Sequence, residues 1–136
     1  DHVTNIHVVL SVEKLRHKAA ARYIKNLADI AEVKLPLEES CSVHAWHLFL
    51  LRIVPERLNI GRDLFIRRLA DRGVGTSVHY IPLHIMPYYA GRYGLQPKDF
   101  PEALAAFERV ISLPMHPYLD AETQDRICKA VRDCLG

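Results

Sequence analysis

The sequence lacks the features that would assign it to a membrane, to nucleic acid or to a disulfide framework. No apolar run approaches the roughly 18 residues that a membrane-spanning helix needs, and no signal peptide is recognisable. The net charge is only +2, and the Lys and Arg residues are scattered instead of forming a basic stripe. The three cysteines include no Cys-x-x-Cys pair, which is typical of a reduced protein. We therefore expect a cytoplasmic protein with neither a nucleic-acid nor a membrane partner.

Recognisable catalytic and metal-binding motifs are also missing. There is no His-Glu-x-x-His motif, and "GVGTS" (73–77) has two glycines but does not open a helix as a phosphate loop would. His44 and His47 straddle the start of a predicted strand, where a step of three places side chains on opposite faces. His79 and His84 flank a proline, so these histidines are either site residues or polar residues satisfied by hydrogen bonds. We expect no metal site and no complete catalytic set in this chain.

The spacing of apolar residues predicts alternating helices and strands. An N-terminal arm over residues 1–11 is expected to be a loose segment or a strand, and residues 34–45 a loop. We predict helices over 12–32, over 60–72, after Asp99 and over 121–134, and strands over 46–53, 74–80 and 111–115, with Ser11, Asn59, Asp99 and Asp120 as N-caps. Only three strands are expected, so the predicted fold class is α/β, in detail an α+β two-layer sandwich with helices packed on a small sheet.

The segment "GVGTSVHYIPLHIMPYY" (73–89) concentrates tyrosine, histidine and proline with almost no net charge. Pro82 and Pro87 predict a loop with at most one irregular helical turn beyond the predicted strand. Tyrosine carries an apolar ring and a polar tip, which suits half-wet contact surfaces. The residues leave two interpretations open: a binding surface or site completed elsewhere, or a cover for this domain's own core.

The order and spacing of several motifs resemble a known family. "GVGTSVHYIPLHIMPYY", "GRYG" and "DFPEALAAFERVISLPMHPYLDAE" are similar to the C-terminal part of sugar-nucleotide aminotransferases of the DegT/DnrJ/StrS type. The resemblance extends over roughly residues 12–135. The matching positions are Gly75, Thr76, Val78, His79, Tyr80, Pro82, Leu83, His84, Phe100, Pro101, Ser112, Leu113, Pro114, His116 and Pro117.

This resemblance implies that residues 12–136 are the small C-terminal domain of a pyridoxal-phosphate enzyme with the aspartate-aminotransferase fold. The family's large domain carries the Schiff-base lysine, and its dimers transfer an amino group from glutamate to a nucleotide-linked keto sugar. None of the lysines in this sequence lies in the family's lysine motif, so we expect this chain alone to be inactive and to hold no cofactor. The chain starts at Asp1 and not at Met, so it is expected to be a piece of something larger, or a trimmed or processed form.

By the same resemblance, His79, Tyr80 and His84 are expected to line the sugar-nucleotide pocket, with Tyr88 as a further candidate. Their role would be hydrogen bonding to sugar hydroxyls or phosphate oxygens. No catalytic, cofactor-binding or metal-binding residue is expected in this chain. Two alternatives stay open: a sugar dehydratase of the same family that uses pyridoxal or pyridoxamine phosphate, and a non-enzymatic α/β binding or regulatory module.

Overall fold

Helices and a small sheet alternate along the chain. The structure, a computed structural model, describes residues 2–37 and 41–135, and it describes side chains from residue 11 onward. Within those ranges the helices are α1 (His2–Leu27), α2 (Pro55–Leu58), α3 (Arg62–Ala70), α4 (Pro87–Tyr93), α5 (Pro101–Arg109) and α6 (Ala121–Asp133). The strands are β1 (Val33–Lys34), β2 (Phe49–Ile53) and β3 (Val110–Leu113), and two 3₁₀ turns cover Leu83–Ile85 and Pro97–Asp99.

The three strands form one antiparallel sheet in the order β1-β2-β3. Val33 pairs with Ile53, and Phe49 pairs with Leu113, which fixes the register on both sides of β2. Side chains alternate along β2, so that Phe49, Leu51 and Ile53 are buried while Leu50 and Arg52 face outward. The predicted strand over 46–53 is therefore corrected to a shorter strand, Phe49–Ile53, with one buried face.

The core lies between the inner face of the sheet and a layer made by α1, α3 and α6. Buried side chains from all of these elements meet there: Tyr23, Leu27, Phe49, Leu51, Ile53, Phe65, Leu69, Ile111, Ile127 and Val131. Burying each of the larger side chains contributes about 1.5–3 kcal/mol. The observed architecture is a layer of helices on a small three-stranded sheet, which confirms the predicted fold class.

Tyr23 joins the α1 layer to the strand that follows α5. Its ring lies 4.8 Å from the ring of Phe49, and its hydroxyl donates a 2.9 Å hydrogen bond to the carbonyl oxygen of Pro114. Burial raises the pKa of Tyr23 well above its usual value, because the phenolate would be poorly solvated there. The residue therefore stays neutral and keeps donating through the physiological range.

Only one of the four predicted N-cap residues caps the helix that it was predicted to begin. Asp120 begins α6 as predicted, since its carboxylate accepts from the backbone nitrogen of Thr123 at 2.8 Å. Asn59 has φ 56° and ends the short helix α2, which Pro55 begins, so α3 starts after Gly61 instead. Asp99 accepts from the backbone nitrogen of Gln96 in the second 3₁₀ turn.

The N-terminal expectation is wrong for residues 2–11. Helix α1 starts at His2 and runs to Leu27 without interruption, so Ser11 lies inside it and caps nothing. The β-branched residues in this stretch suggested a strand, but β-branching lowers helix propensity only slightly and does not forbid a helix. Residue 1 lies outside the described residues.

Two further boundaries differ from the predictions. The predicted helix over 12–32 ends at Leu27, and the segment that follows pairs with β2 as strand β1, where a loop was expected from residue 34. Residues 38–40 of that predicted loop lie outside the described residues. In the described part of the chain, no helix combines the length and apolar character needed to cross a membrane.

The predicted strand over 74–80 does not form. Only Ser77 pairs with the sheet, through a single bridge to Ser112 at the edge of β3. The following segment is more helical than expected, because Pro87 occupies the first turn of α4, where its missing N–H costs nothing. The sheet still has three strands, but the two-residue β1 takes the place of the predicted strand over 74–80.

Candidate substrate-binding surface

The segment over residues 73–94, called the aromatic loop from this point on, is attached to the core at its start. Gly73 has φ 76°, a conformation that glycine adopts without steric cost, and its N–H donates to the carbonyl oxygen of Ala70 at 2.9 Å. The N–H of Val74 donates to the carbonyl oxygen of Leu69, also at 2.9 Å, and Val74 is buried. The loop therefore leaves α3 along a defined path.

The next attachment is to the outer edge of the sheet. Ser77 and Ser112 exchange two backbone hydrogen bonds of 3.2 and 2.8 Å. Ile111 and Leu113 point into the core, so the alternation of β3 places the side chain of Ser112 on the outer face. His79 lies on the same side, since its ring contacts the Ser112 hydroxyl.

His79 is held by a side chain of the sheet. Its Nδ1 lies 2.8 Å from the hydroxyl oxygen of Ser112, and its ring and that of Tyr80 are in T-shaped contact with 4.9 Å between centroids. Nε2 has no hydrogen-bond partner among the described residues and is not among their buried unpartnered atoms, so it reaches solvent. The ring is thus fixed at one nitrogen and open at the other.

Tyr80 and Tyr88 are on the surface. Tyr80 is 76% exposed and Tyr88 is 71% exposed, and the apolar side chain of Leu83 between them is 60% exposed. Tyr88 contacts the edge of the Tyr89 ring at 5.3 Å. Exposed aromatic and aliphatic side chains in one short segment mark a candidate contact surface for another molecule or another domain.

His84 lies elsewhere. It is only 5% exposed, and its ring is 5.0 Å from the ring of Phe100. Its Nε2 is buried without a hydrogen-bond partner in the described part of the chain. The first 3₁₀ turn directs the ring of His84 inward while Leu83 stays outside, and the expected contact of His84 with a substrate stays a prediction.

Two clefts in the described part of the chain do not contain the predicted site residues. The first, about 550 Å³, lies between α1 and α6. Its carboxylates are already paired: Asp125 with Arg22 at 2.6 Å and Asp29 with Arg132 at 2.6 Å. The hydrogen bonds from these arginines lower the pKa of both acids. The second, about 560 Å³, lies beside β2 and α5, and its charged lining residues are Lys34, Arg52, Glu56, Glu102 and Arg109.

The described residues offer little machinery for covalent chemistry. Cys128 and Cys134 are buried, and burial raises the pKa of both thiols, so they remain protonated and unreactive near neutral pH. No group of three or more His, Cys, Asp or Glu side chains in the described ranges could hold a metal ion. What the aromatic loop offers is hydrogen bonding and apolar contact.

Comparison with known proteins assigns the chain to a family. The model of the DegT/DnrJ/EryC1/StrS aminotransferase family matches residues 4–132. The chain belongs to this family. The resemblance of the motifs between residues 73 and 122 is thereby confirmed, and with it the assignment to a family of aminotransferases.

Individual relatives show how much of a longer protein the chain covers. It is 36% identical over 123 residues to the spore coat polysaccharide biosynthesis protein SpsC of Bacillus subtilis strain 168, a match over 90% of the chain and 32% of that protein. The apo form of the putative sugar aminotransferase Spr1654 from Streptococcus pneumoniae superposes with TM-score 0.85 at 26% identity, over 98% of the chain and 33% of that protein.

S. venezuelae DesV, solved with a ketimine intermediate, gives TM-score 0.82 at 33% identity, over 92% of the chain and 32% of DesV. The chain therefore spans about a third of the length of the relatives it matches.

Ser112 is the residue whose role the sequence did not reveal. It matches the family in "SLP", but nothing in that motif connects it with His79, 33 positions away. A usable signal was present: a small hydroxyl side chain stands between two buried apolar residues of a strand, at the position that alternates to the other face.

Proposed function

We propose that this chain is the small domain of a longer, pyridoxal-phosphate-dependent enzyme that transfers an amino group from glutamate to a nucleotide-linked keto sugar. The observation that carries the proposal is the match of 98% of the chain to a third of a putative sugar aminotransferase. That protein has also been solved in forms with pyridoxal phosphate and pyridoxamine phosphate. The remaining two thirds of the enzyme would then lie outside these 136 residues.

The residues of this chain do not fit the cofactor. A Schiff-base lysine is activated by desolvation or by a neighbouring cation. All six lysines of this chain are exposed, and Lys129 is paired with Asp133 at 2.5 Å. The cofactor and its lysine would therefore belong to the rest of the enzyme, and no step of the transfer is assigned to a residue of this chain.

This domain would contribute one wall of the substrate pocket. The hydroxyls of Tyr80 and Tyr88 and the Nε2 of His79 are open to solvent and can hydrogen-bond sugar hydroxyls or phosphate oxygens. Leu83 and the tyrosine rings supply apolar area on which the rest of the enzyme, or the second subunit of a homodimer, can pack. His84, buried against Phe100, would act by holding the turn that presents Leu83.

The experiment uses the longer protein with pyridoxal phosphate, glutamate and a panel of nucleotide-linked keto sugars. The expected result is release of 2-oxoglutarate together with an amino sugar nucleotide detected by mass spectrometry. Tyr80→Phe removes one hydroxyl, and a lost hydrogen bond of about 0.5–1.5 kcal/mol predicts a roughly 2- to 12-fold higher KM for the sugar. Tyr118→Phe is the matched control, because Tyr118 is equally exposed but lies outside the aromatic loop.

Two outcomes would overturn the proposal. One is a longer protein that transfers no amino group to any member of the panel, including one that releases water from the sugar without transamination. The other is a stoichiometric Schiff-base absorbance when the 136-residue chain alone is mixed with pyridoxal phosphate, since the reactive lysine is expected elsewhere.

A further inference from the structure

The side chain of Ser112 is enclosed and has one partner. The residue is 5% exposed, and in the described part of the chain its hydroxyl oxygen has a single hydrogen-bond partner, the Nδ1 of His79. A serine hydroxyl can donate one proton and also accept, whereas a neutral imidazole has one nitrogen that donates and one that accepts. The contact can therefore be made in two ways, which differ in where the imidazole proton lies.

The burial of Ser112 favours one of the two ways. If Nδ1 carried the proton and donated it to the hydroxyl, the proton of the enclosed hydroxyl would face no acceptor, and an unsatisfied buried donor is costly. If the hydroxyl donates to Nδ1, its proton is satisfied, and the imidazole proton lies on Nε2. That nitrogen has no hydrogen-bond partner among the described residues and is not fully buried.

We propose that Ser112 is a positioning residue that holds neutral His79 as the Nε2–H tautomer, so that His79 presents a hydrogen-bond donor to the substrate. This proposal rests on the proposed function for the identity of the ligand, whereas the tautomer follows from the contact together with the burial of Ser112. An Nε2–H group can donate to a hydroxyl, carbonyl or phosphate oxygen, and it cannot take up a proton at that atom. His79 would therefore select an oxygen acceptor in the sugar nucleotide and would not serve as its base.

The first test measures the tautomer without cofactor or substrate. The 136-residue chain is labelled with ¹⁵N-histidine, and the ring signals of His79 are assigned by their loss in His79→Gln. The spectra are recorded about two pH units above the usual histidine pKa of about 6.5. The expected Nε2–H to Nδ1–H ratio is at least about tenfold, a preference of roughly 1.4 kcal/mol.

Variants at Ser112 give the contrast. In Ser112→Ala the ratio should fall to about threefold or less, whereas Ser112→Thr should restore it because the hydroxyl is kept. Ser77→Ala is the matched control, because Ser77 hydrogen-bonds to the same strand through its backbone. The ratio of the two His79 tautomers in Ser77→Ala should therefore equal that of the native protein. If Ser112→Ala fails to fold by circular dichroism, the tautomer ratio of His79 is compared between Ser112→Thr and Ser112→Val. These two side chains have the same shape and differ in the hydroxyl.

A native ratio that favours Nδ1–H, or the same ratio with and without the hydroxyl, overturns the assignment.

The second test uses the longer enzyme, in which Ser112→Ala should raise KM for the sugar about 3- to 10-fold with little change in kcat, and Ser112→Thr should reverse the effect. An unchanged KM overturns the contact with substrate. A longer protein without any transaminase activity overturns the proposed function instead, and it leaves the tautomer result standing.

Discussion

Removal of the Tyr23 hydroxyl tests whether α1 is locked to the sheet as described. Tyr23→Phe keeps the ring, which is fully buried against Phe49, and deletes only the 2.9 Å hydrogen bond to the carbonyl oxygen of Pro114. The cost combines the net value of a hydrogen bond with the penalty for an acceptor left without a partner, about 1–2 kcal/mol in all. For a chain of this size that loss lowers the thermal midpoint by about 3–8 °C.

The measurement is urea unfolding followed by circular dichroism at pH 7, with Tyr118→Phe as the control. Tyr118 is on the surface, so its loss of a hydroxyl should change the free energy of unfolding by less than about 0.5 kcal/mol. If Tyr23→Phe and Tyr118→Phe unfold at the same urea concentration, the hydrogen bond to Pro114 does not stabilise the fold and the reasoning fails.

The buried hydroxyl of Tyr23 should also make the free energy of unfolding depend on pH in the alkaline range. Burial raises the pKa of Tyr23 in the folded state, while the unfolded chain ionises near the ordinary value of about 10. The stability that Tyr23 contributes is complete below that pH, and it is lost as the pH rises above it, because only the unfolded state releases the proton. The difference in stability between the native protein and Tyr23→Phe should therefore shrink above pH 10; a constant difference up to pH 11 would contradict it.

Two further perturbations test the aromatic loop and the core. Gly73→Ala should lower the free energy of unfolding by about 1–2 kcal/mol because φ is 76°, although no atom crowds the new methyl group. Gly75→Ala is the control, since Gly75 is equally uncrowded and has no positive φ. In the same urea assay it should be near neutral or slightly stabilising. A thiol reagent at pH 7 should modify exposed Cys41 at least about tenfold faster than buried Cys128 and Cys134, a difference that denaturant abolishes; equal rates in the native protein would show that the two thiols are accessible.

The features that sequence reasoning placed correctly depend on neighbours in the chain. Helix α6 follows from Asp120, whose carboxylate caps the N–H of Thr123 three residues later, and from the helical spacing of Ile127 and Val131. Strand β3 follows from a short apolar run that Pro114 ends. The family motifs belong to the same class of information, since they are ordered residue patterns along one chain.

The features that sequence reasoning misplaced depend on contacts with residues far away along the chain. Residues 74–80 have a strand composition, yet only Ser77 finds a place beside β3, while the two residues of β1 complete the sheet. A strand exists only where another strand presents free N–H and C=O groups, and composition does not show where these lie. Burial in the aromatic loop has the same origin: Tyr80 and Tyr88 are exposed, whereas His84 is turned inward onto Phe100, and composition does not distinguish them.

The order of amino acids by itself determined the class of fold, the presence of the main helices, and the family, because periodicity, capping and motif spacing act over a few neighbouring residues. Tertiary structure decided which nitrogen of His79 is held and which side chains of the aromatic loop remain accessible. The physical reason is that the decisive contact, between His79 and Ser112, joins residues 33 positions apart that meet only when the loop is laid along β3.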